Sequence, residues 1–188
     1  MRKYVIGVCS LLACSAIAFA IAANAQQDKS KRPSPPAHAE FTFPDGKTIN
    51  IDYSSPRVRG RVIFGDLQKF GEVWRAGANE ATTFVTDTDL VVGGKDVPAG
   101  AYTLDMIPNP DQWTLIVSKK TKNAKGGPVW GIPYPGAEFD LMRTTMKLTK
   151  LDSSVEDLVY VFDKSESGCV MHLKWANSDA SVDISEKK

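Results

Sequence analysis

The chain has 188 residues, 23 basic and 22 acidic side chains, a formal net charge of +1, and 43% hydrophobic residues. Without a clustered surplus of Lys and Arg, this balance excludes the electrostatic footprint needed for nucleic acid or an anionic membrane surface. Two histidines and three cysteines supply too few partners for a zinc site or a Ser-His-Asp arrangement, so no metal or cofactor is expected.

Met1, Arg2 and Lys3 precede the apolar stretch "YVIGVCSLLACSAIAFAIAA", and Ala23 and Ala25 stand ahead of Gln26. A short basic start, an apolar centre and an A-x-A-like site describe a secretory signal peptide over residues 1–25, and hence export to the periplasm or beyond. A membrane-spanning helix needs about 20 apolar residues, which this stretch approaches only if its glycines, serines and alanines all count. "LLAC", ending at Cys14, resembles a lipobox, but the chain stays apolar through Ala23, where a lipoprotein turns polar. A lipid anchor at Cys14 is therefore the lesser alternative. Removing Arg2 and Lys3 with the leader leaves 21 of the 23 basic residues against 22 acidic ones, a net charge of −1. Cys169 then stands alone, with no internal disulfide partner.

Residues 26–40, "QQDKSKRPSPPAHAE", combine prolines and charges with almost no large apolar side chains. They read as a flexible tether that cannot repay the entropy of ordering, and His38 falls within it. From Phe41 onward apolar residues recur with period two, the mark of half-buried strands. In "TINIDYS", Ile49, Ile51 and Tyr53 share one face while Asn50 and Asp52 take the other. Arg57, Arg59 and Arg61 are spaced by two in "SSPRVRGRVIFG" and would share a face if extended, offering planar donor forks to an anion or charging an exposed strand edge. Helical spacing shows only over Asp66–Trp74, where Leu67, Phe70, Val73 and Trp74 recur at intervals of three and four.

"ATTFVT" and "DLVV" lead to Gly93-Gly94, a hairpin signal because both residues accept positive φ. Pro98 and Gly100 mark a tight turn, after which Tyr102, Leu104 and Met106 line one side of a strand. Beyond the "NPDQ" turn, Trp113, Leu115 and Val117 form the next stripe. Further strands are expected in "FDLMRTTMKLTKL", "DLVYVFDK", "GCVMHLKWAN" and "SVDIS". Alternation puts Cys169 inward as an inert buried thiol and His172 outward as a surface side chain. The pattern predicts one all-β domain over 41–188, an antiparallel β-sandwich or partly open barrel of about seven to nine strands with at most one or two short helices.

The least ordinary stretch is "GEVWRAGANEATTF", residues 71–84, which crowds Trp74, Arg75, Asn79 and Glu80 around two glycines. One reading is a self-satisfied corner, with Gly77 at a dihedral that other residues refuse, Asn79 capping its own turn and Glu80 paired with Arg75. The other is a shallow pocket in which Arg61, Arg75, Asn79 and Glu80 supply polar groups while Trp74, Trp130 and Tyr134 supply stacking faces for a carbohydrate or small polar metabolite. Hydrolytic use of Glu80 requires a second carboxylate within about 10 Å, for which Asp140 or Glu138 is the candidate.

The segment "YSSPRVRGRVIFGDLQKFGEVWRAGANEATTFVTDTDLVVGGKDVPAGAYTLDMIPNPDQWTLIVSK" and the later "WGIPYPGAEFDLMR" resemble the bacterial secreted family catalogued as domain of unknown function 2911. The resemblance covers roughly residues 47–185, and its specific parts are "RGRVIFG", "VWRAGANEAT" and "PAGAYTL". It implies export and a β-rich fold but supplies no reaction. Relatives often carry "WG-YDY" where this chain has "WGIPYPG", so Pro133 and Pro135 reshape that loop. The function expected from all of this is a non-enzymatic, exported module binding a small polar ligand or carbohydrate. The alternatives are a hydrolase acting through Glu80 and a structural or interaction protein of the cell envelope.

Overall fold

The computed structural model describes residues 28–188; the leader expected over 1–25, with Cys14, lies outside them. Among the described residues, nine strands form one antiparallel sheet: β1 (Pro36–Thr42), β2 (Thr48–Ser54), β3 (Thr82–Thr86), β4 (Leu90–Val92), β5 (Lys95–Val97), β6 (Gly100–Ile107), β7 (Gln112–Ser118), β8 (Asp140–Lys164) and β9 (Gly168–Glu186). They lie in the order β1-β2-β3-β6-β7-β8-β9-β4-β5. Helix is confined, among the described residues, to two 3₁₀ turns, Lys29–Lys31 and Ala137–Phe139.

Period-two burial builds the core as alternation predicts. Ile49, Ile51 and Tyr53 of β2 are buried, as are Tyr102, Leu104 and Met106 of β6 and Trp113, Leu115 and Val117 of β7. The β4–β5 hairpin turns on Gly93 and Gly94, whose φ values of 52° and 78° are the paired positive dihedrals of a two-residue loop. Cys169 is buried, and burial pushes its thiol up to about 12, so it is inert at neutral pH.

Three expectations need correction. Residues 36–40 are not tether: Pro36 to Thr42 pair in full register with Ser54 to Thr48, because a neighbouring strand supplies hydrogen bonds that composition does not reveal. Asp66–Trp74 is not helical. Its backbone bonds run outward, Gly71 N–H to Pro108 O (2.9 Å) and Trp74 N–H to Met106 O (2.7 Å), which an i→i−4 ladder would forbid. The four strands expected beyond residue 139 are two long ones, bent where their register shifts between Lys150 and Val155 and between Val155 and Val159.

These bulges let a single sheet make two layers without closing into a barrel. The first part of β8 pairs with β7, whereas its far half lies over the start of the sheet. There Tyr160 meets Tyr53 with ring centroids 4.9 Å apart, Phe162 meets Phe41 at 6.0 Å, and Leu158 N–H donates to Pro56 O at 2.9 Å. At the other end of the core, Trp74 stacks on Trp175 at 5.7 Å and Phe64 lies edge-on to Trp113 at 4.4 Å. Trp113 is fully buried, so truncating it to Ala should cost about 3–5 kcal/mol. Urea unfolding of Trp113→Ala checks this, and the half-buried Phe64→Ala should cost less.

Candidate functional site

The corner at residues 74–80 is built from the core outward. Trp74, expected as a stacking face for a ligand, is instead 6% exposed, and its Nε1–H donates to Gly77 O (3.0 Å). The left-handed dihedrals fall not on Gly77 but on Ala76 and Asn79, with φ of 51° and 55°. Gly77 is required by proximity, since a Cβ there would lie 2.7 Å from Thr82 Oγ1. Ala76 O accepts from Thr82 Oγ1 (3.1 Å) and from the buried Tyr160 hydroxyl (2.9 Å). These three hydrogen bonds hold the corner in a conformation that non-glycine residues ordinarily avoid.

The polar side chains of this corner do not converge on one pocket. Asn79 Nδ2 donates to Ser34 O at 2.9 Å, rather than to its own turn. Glu80 pairs not with Arg75 but with the N-terminal segment: one Arg32 guanidinium nitrogen reaches both carboxylate oxygens (3.1 and 2.9 Å), and Lys29 Nζ lies 3.1 Å away. Burial raises the Glu80 pKa, but a backbone hydrogen bond and these two cations outweigh it and hold it below the usual value. Arg61 turns back on its own chain, donating to Val58 O (3.0 Å) and Arg57 O. Arg57 pairs with Asp157 at 2.7 Å and Arg59 has φ of 49°, so the three arginines share no strand face.

Arg75 takes the opposite direction from Trp74, as alternation along an extended chain demands. Its guanidinium donates to Trp130 O (3.2 Å) and lies 6.0 Å from the centroid of the Trp130 ring. Burial lowers the Arg75 pKa, opposed by the negative charge of Glu80. Its Nε is buried without a hydrogen-bond partner. Trp130 itself is 52% exposed, a free aromatic face at the rim. Four residues on, the Tyr134 hydroxyl donates to Asp140 Oδ1, while Arg143 Nε donates to Asp140 Oδ2 (2.7 Å) and Arg143 Nη2 to the Tyr134 oxygen (3.1 Å). Burial, then the bond to Asp140, pushes Tyr134 up to about 12.

Trp130 and Tyr134 belong to the connection 119–139, which lies across the outer face of the sheet. Thr103 Oγ1 donates to Lys120 O (3.3 Å), Ala81 N–H to Val129 O (2.9 Å) and Lys119 N–H to Phe139 O (2.8 Å). The face that alternation assigns to solvent is thus covered. Beneath it sits Asp105 in β6, 2% exposed, with Oδ1 lacking any partner. Burial, reinforced by the charge of Asp140, pushes its carboxyl up to about 7. Asp105 escaped the sequence reading because it alternates with Leu104 and Met106 like any solvent-facing residue; its signal was an acid flanked by apolar neighbours on a central strand. Asp140 therefore couples to Asp105, not to Glu80.

His172, expected to face solvent alone, is half-buried between Asp179 (Nδ1 to Oδ1, 2.8 Å) and Asp163 (Nε2 to Oδ2, 3.4 Å). His38 sits on β1 with Nδ1 2.8 Å from Asp52 Oδ1. Among the described residues, no group of three or more His, Cys, Asp or Glu side chains is placed to hold a metal ion.

The sheet, apart from the last two residues of β9, the "VWRAGANEAT" corner and the 119–139 cover fall within a match to one family over residues 34–184. The chain belongs to DUF2911, described as a protein of unknown function. No curated protein and no solved structure matches it. The matched DUF2911 region contains Arg75, Glu80, Asp105, Trp130, Tyr134, Asp140 and Arg143, but begins after Lys29 and Arg32.

Asp105 makes the stability of this DUF2911 domain pH-dependent. Between the ordinary carboxyl value of 3.8 and about 7, the folded state holds a proton that the unfolded chain has released. Stability from this group is full below that window, falls as pH rises through it, and levels off above it. The difference is worth on the order of 4 kcal/mol. Asp105→Asn should match the parent protein at pH 4, exceed it at pH 8 and flatten the curve between them; urea titrations across this range measure the effect.

Proposed function

We propose that the protein is an exported, non-enzymatic binding module, periplasmic or secreted, that holds a small polar ligand such as a carbohydrate on the outer face formed by Arg75, Trp130 and Tyr134. The observation that carries this reading is the arginine beneath a half-exposed indole: Arg75 lies 6.0 Å from the Trp130 ring. The Tyr134–Asp140–Arg143 network stands four residues further along the same connection. An open aromatic face beside donor and acceptor groups suits a hydroxyl-rich ligand, which stacks its apolar ring face and directs its hydroxyls to the rim.

Binding is favoured over hydrolysis by the state of the carboxylates. A general acid needs a raised pKa, whereas Glu80 is lowered and held by Arg32 and Lys29. Asp105 has the raised value, but at 2% exposure it lies beyond the reach of a bound substrate.

The ligand class is tested by thermal shift and calorimetry with neutral and acidic oligosaccharides. A ligand at a hundredfold excess over Kd should stabilise the fold by about 2.7 kcal/mol. Trp130→Ala should abolish that shift while leaving unliganded stability nearly unchanged, because its ring is half exposed; Arg143→Ala should abolish it as well, at a cost in stability because its partner Asp140 is 9% exposed. Absence of any hit, or a hit indifferent to both substitutions, rejects the proposal.

A further inference from the structure

The residues that precede β1 are held as a bound peptide is held. Three successive carbonyls are each captured by a donor from the domain: Pro33 O by Arg59 Nη2 (3.2 Å), Ser34 O by Asn79 Nδ2 (2.9 Å) and Pro35 O by the Ser55 amide (2.8 Å). Proline has no N–H to offer, so a segment reading Arg-Pro-Ser-Pro-Pro is recognised through its carbonyls and its charged side chain. The arginine supplies that anchor, with its guanidinium on both oxygens of Glu80 and only 18% of its side chain exposed. Lys29 adds a second cation to the same carboxylate at 3.1 Å. Beside Lys29 and Pro36 lies a cavity of about 190 Å³ whose walls include Asp52, Ser54, Glu80 and Pro128.

Two further observations separate the charged part of this segment, residues 29–33, from the fold it rests on. The family match begins at residue 34, so Glu80 lies inside the shared domain and both of its cations lie outside. Docking also rests on partly exposed ion pairs, with Lys29 nearly half exposed; such pairs are individually weak and screened by salt. We propose that the Asn79–Glu80 corner is a docking groove for a proline-rich segment carrying an arginine, and that residues 29–35, which begin in the 3₁₀ turn Lys29–Lys31, fill it in cis and yield it to a partner protein's segment of the same chemistry. Proline-rich ligands are favoured here because their fixed φ angles leave little conformational entropy to lose. The tethered segment competes at high effective concentration, so the groove is masked until the tether is weakened. This inference concerns Asn79 and Glu80 and not the Arg75–Trp130 pair, and does not depend on that site.

The test uses the full chain and a fluorescent peptide with the sequence of residues 28–37, "DKSKRPSPPA". Lys29→Ala combined with Arg32→Ala should bind this peptide at least about tenfold more tightly than the parent protein, by relief of the tethered competitor. Adding Glu80→Gln to the protein, or replacing the peptide's arginine with alanine, should remove the gain. In the parent protein, tryptic cleavage after Lys29 and Lys31 should accelerate several-fold as salt rises from about 0.05 M to about 0.5 M, and Glu80→Gln should reproduce that acceleration at low salt. Equal peptide binding by all variants overturns the proposal, as does cleavage insensitive to both salt and Glu80→Gln. A parent-protein dimer in sedimentation that Glu80→Gln dissociates would assign the groove to a second copy of the chain and overturn the partner assignment.

Discussion

The insertion of Trp74 among Trp113, Trp175 and Phe64 is the contact on which the surrounding arrangement turns. A buried aromatic cluster of this size removes a large apolar area from water and fixes ring orientations through edge-to-face and stacked packing. Once Trp74 points inward and its backbone exchanges hydrogen bonds with Met106, the next residue in an extended chain must point outward. Arg75 is thereby delivered to the outer face beneath Trp130, and the chain beyond it must turn sharply to enter β3. The left-handed Ala76 and Asn79, the close approach at Gly77 and the bonds accepted by Ala76 O all serve that turn.

A two-faced sheet normally leaves its second face to water, but here the connection 119–139 covers part of it. That cover changes the electrostatics of whatever lies below. Asp105 would be an ordinary ionised carboxylate on an open sheet; under the cover, desolvation and the neighbouring Asp140 favour its neutral form. Asp140 stays held by Tyr134 and Arg143, so the outer face carries one well-bonded carboxylate next to one that lacks a partner. Charged and aromatic groups are thus gathered on a surface built from one strand end, one corner and one long connection.

The opposite side of the same corner faces the N-terminal segment. Glu80 and Asn79 spend their polar groups on Arg32, Lys29 and Ser34, which explains why "GANE" is dense in polar side chains without forming a pocket with Arg75. One short stretch therefore serves two surfaces, with Arg75 directed to one and Asn79–Glu80 to the other. The two are linked by charge: burial lowers the Arg75 pKa and the negative charge of Glu80 opposes that lowering.

Alternation by itself determined the β architecture, the inward stripes of β2, β6 and β7, the glycine hairpin at 93–94 and the burial of Cys169, because period-two patterning directly encodes which side of a strand leaves water. Family membership was likewise legible in irregular stretches such as "VWRAGANEAT". Tertiary structure alone decided that β1 starts at Pro36, that β8 and β9 bend over the sheet, that Trp74 is core and not rim, and that Glu80 answers Arg32 across 48 residues rather than Arg75 beside it. The reason is physical: a local pattern states which side chains oppose the core, but it carries no information on which distant segment will cover the other face or arrive to neutralise a charge. Asp105 shows this most clearly, since its neighbours along the chain mark it as solvent-facing and only the folded connection above it makes it buried.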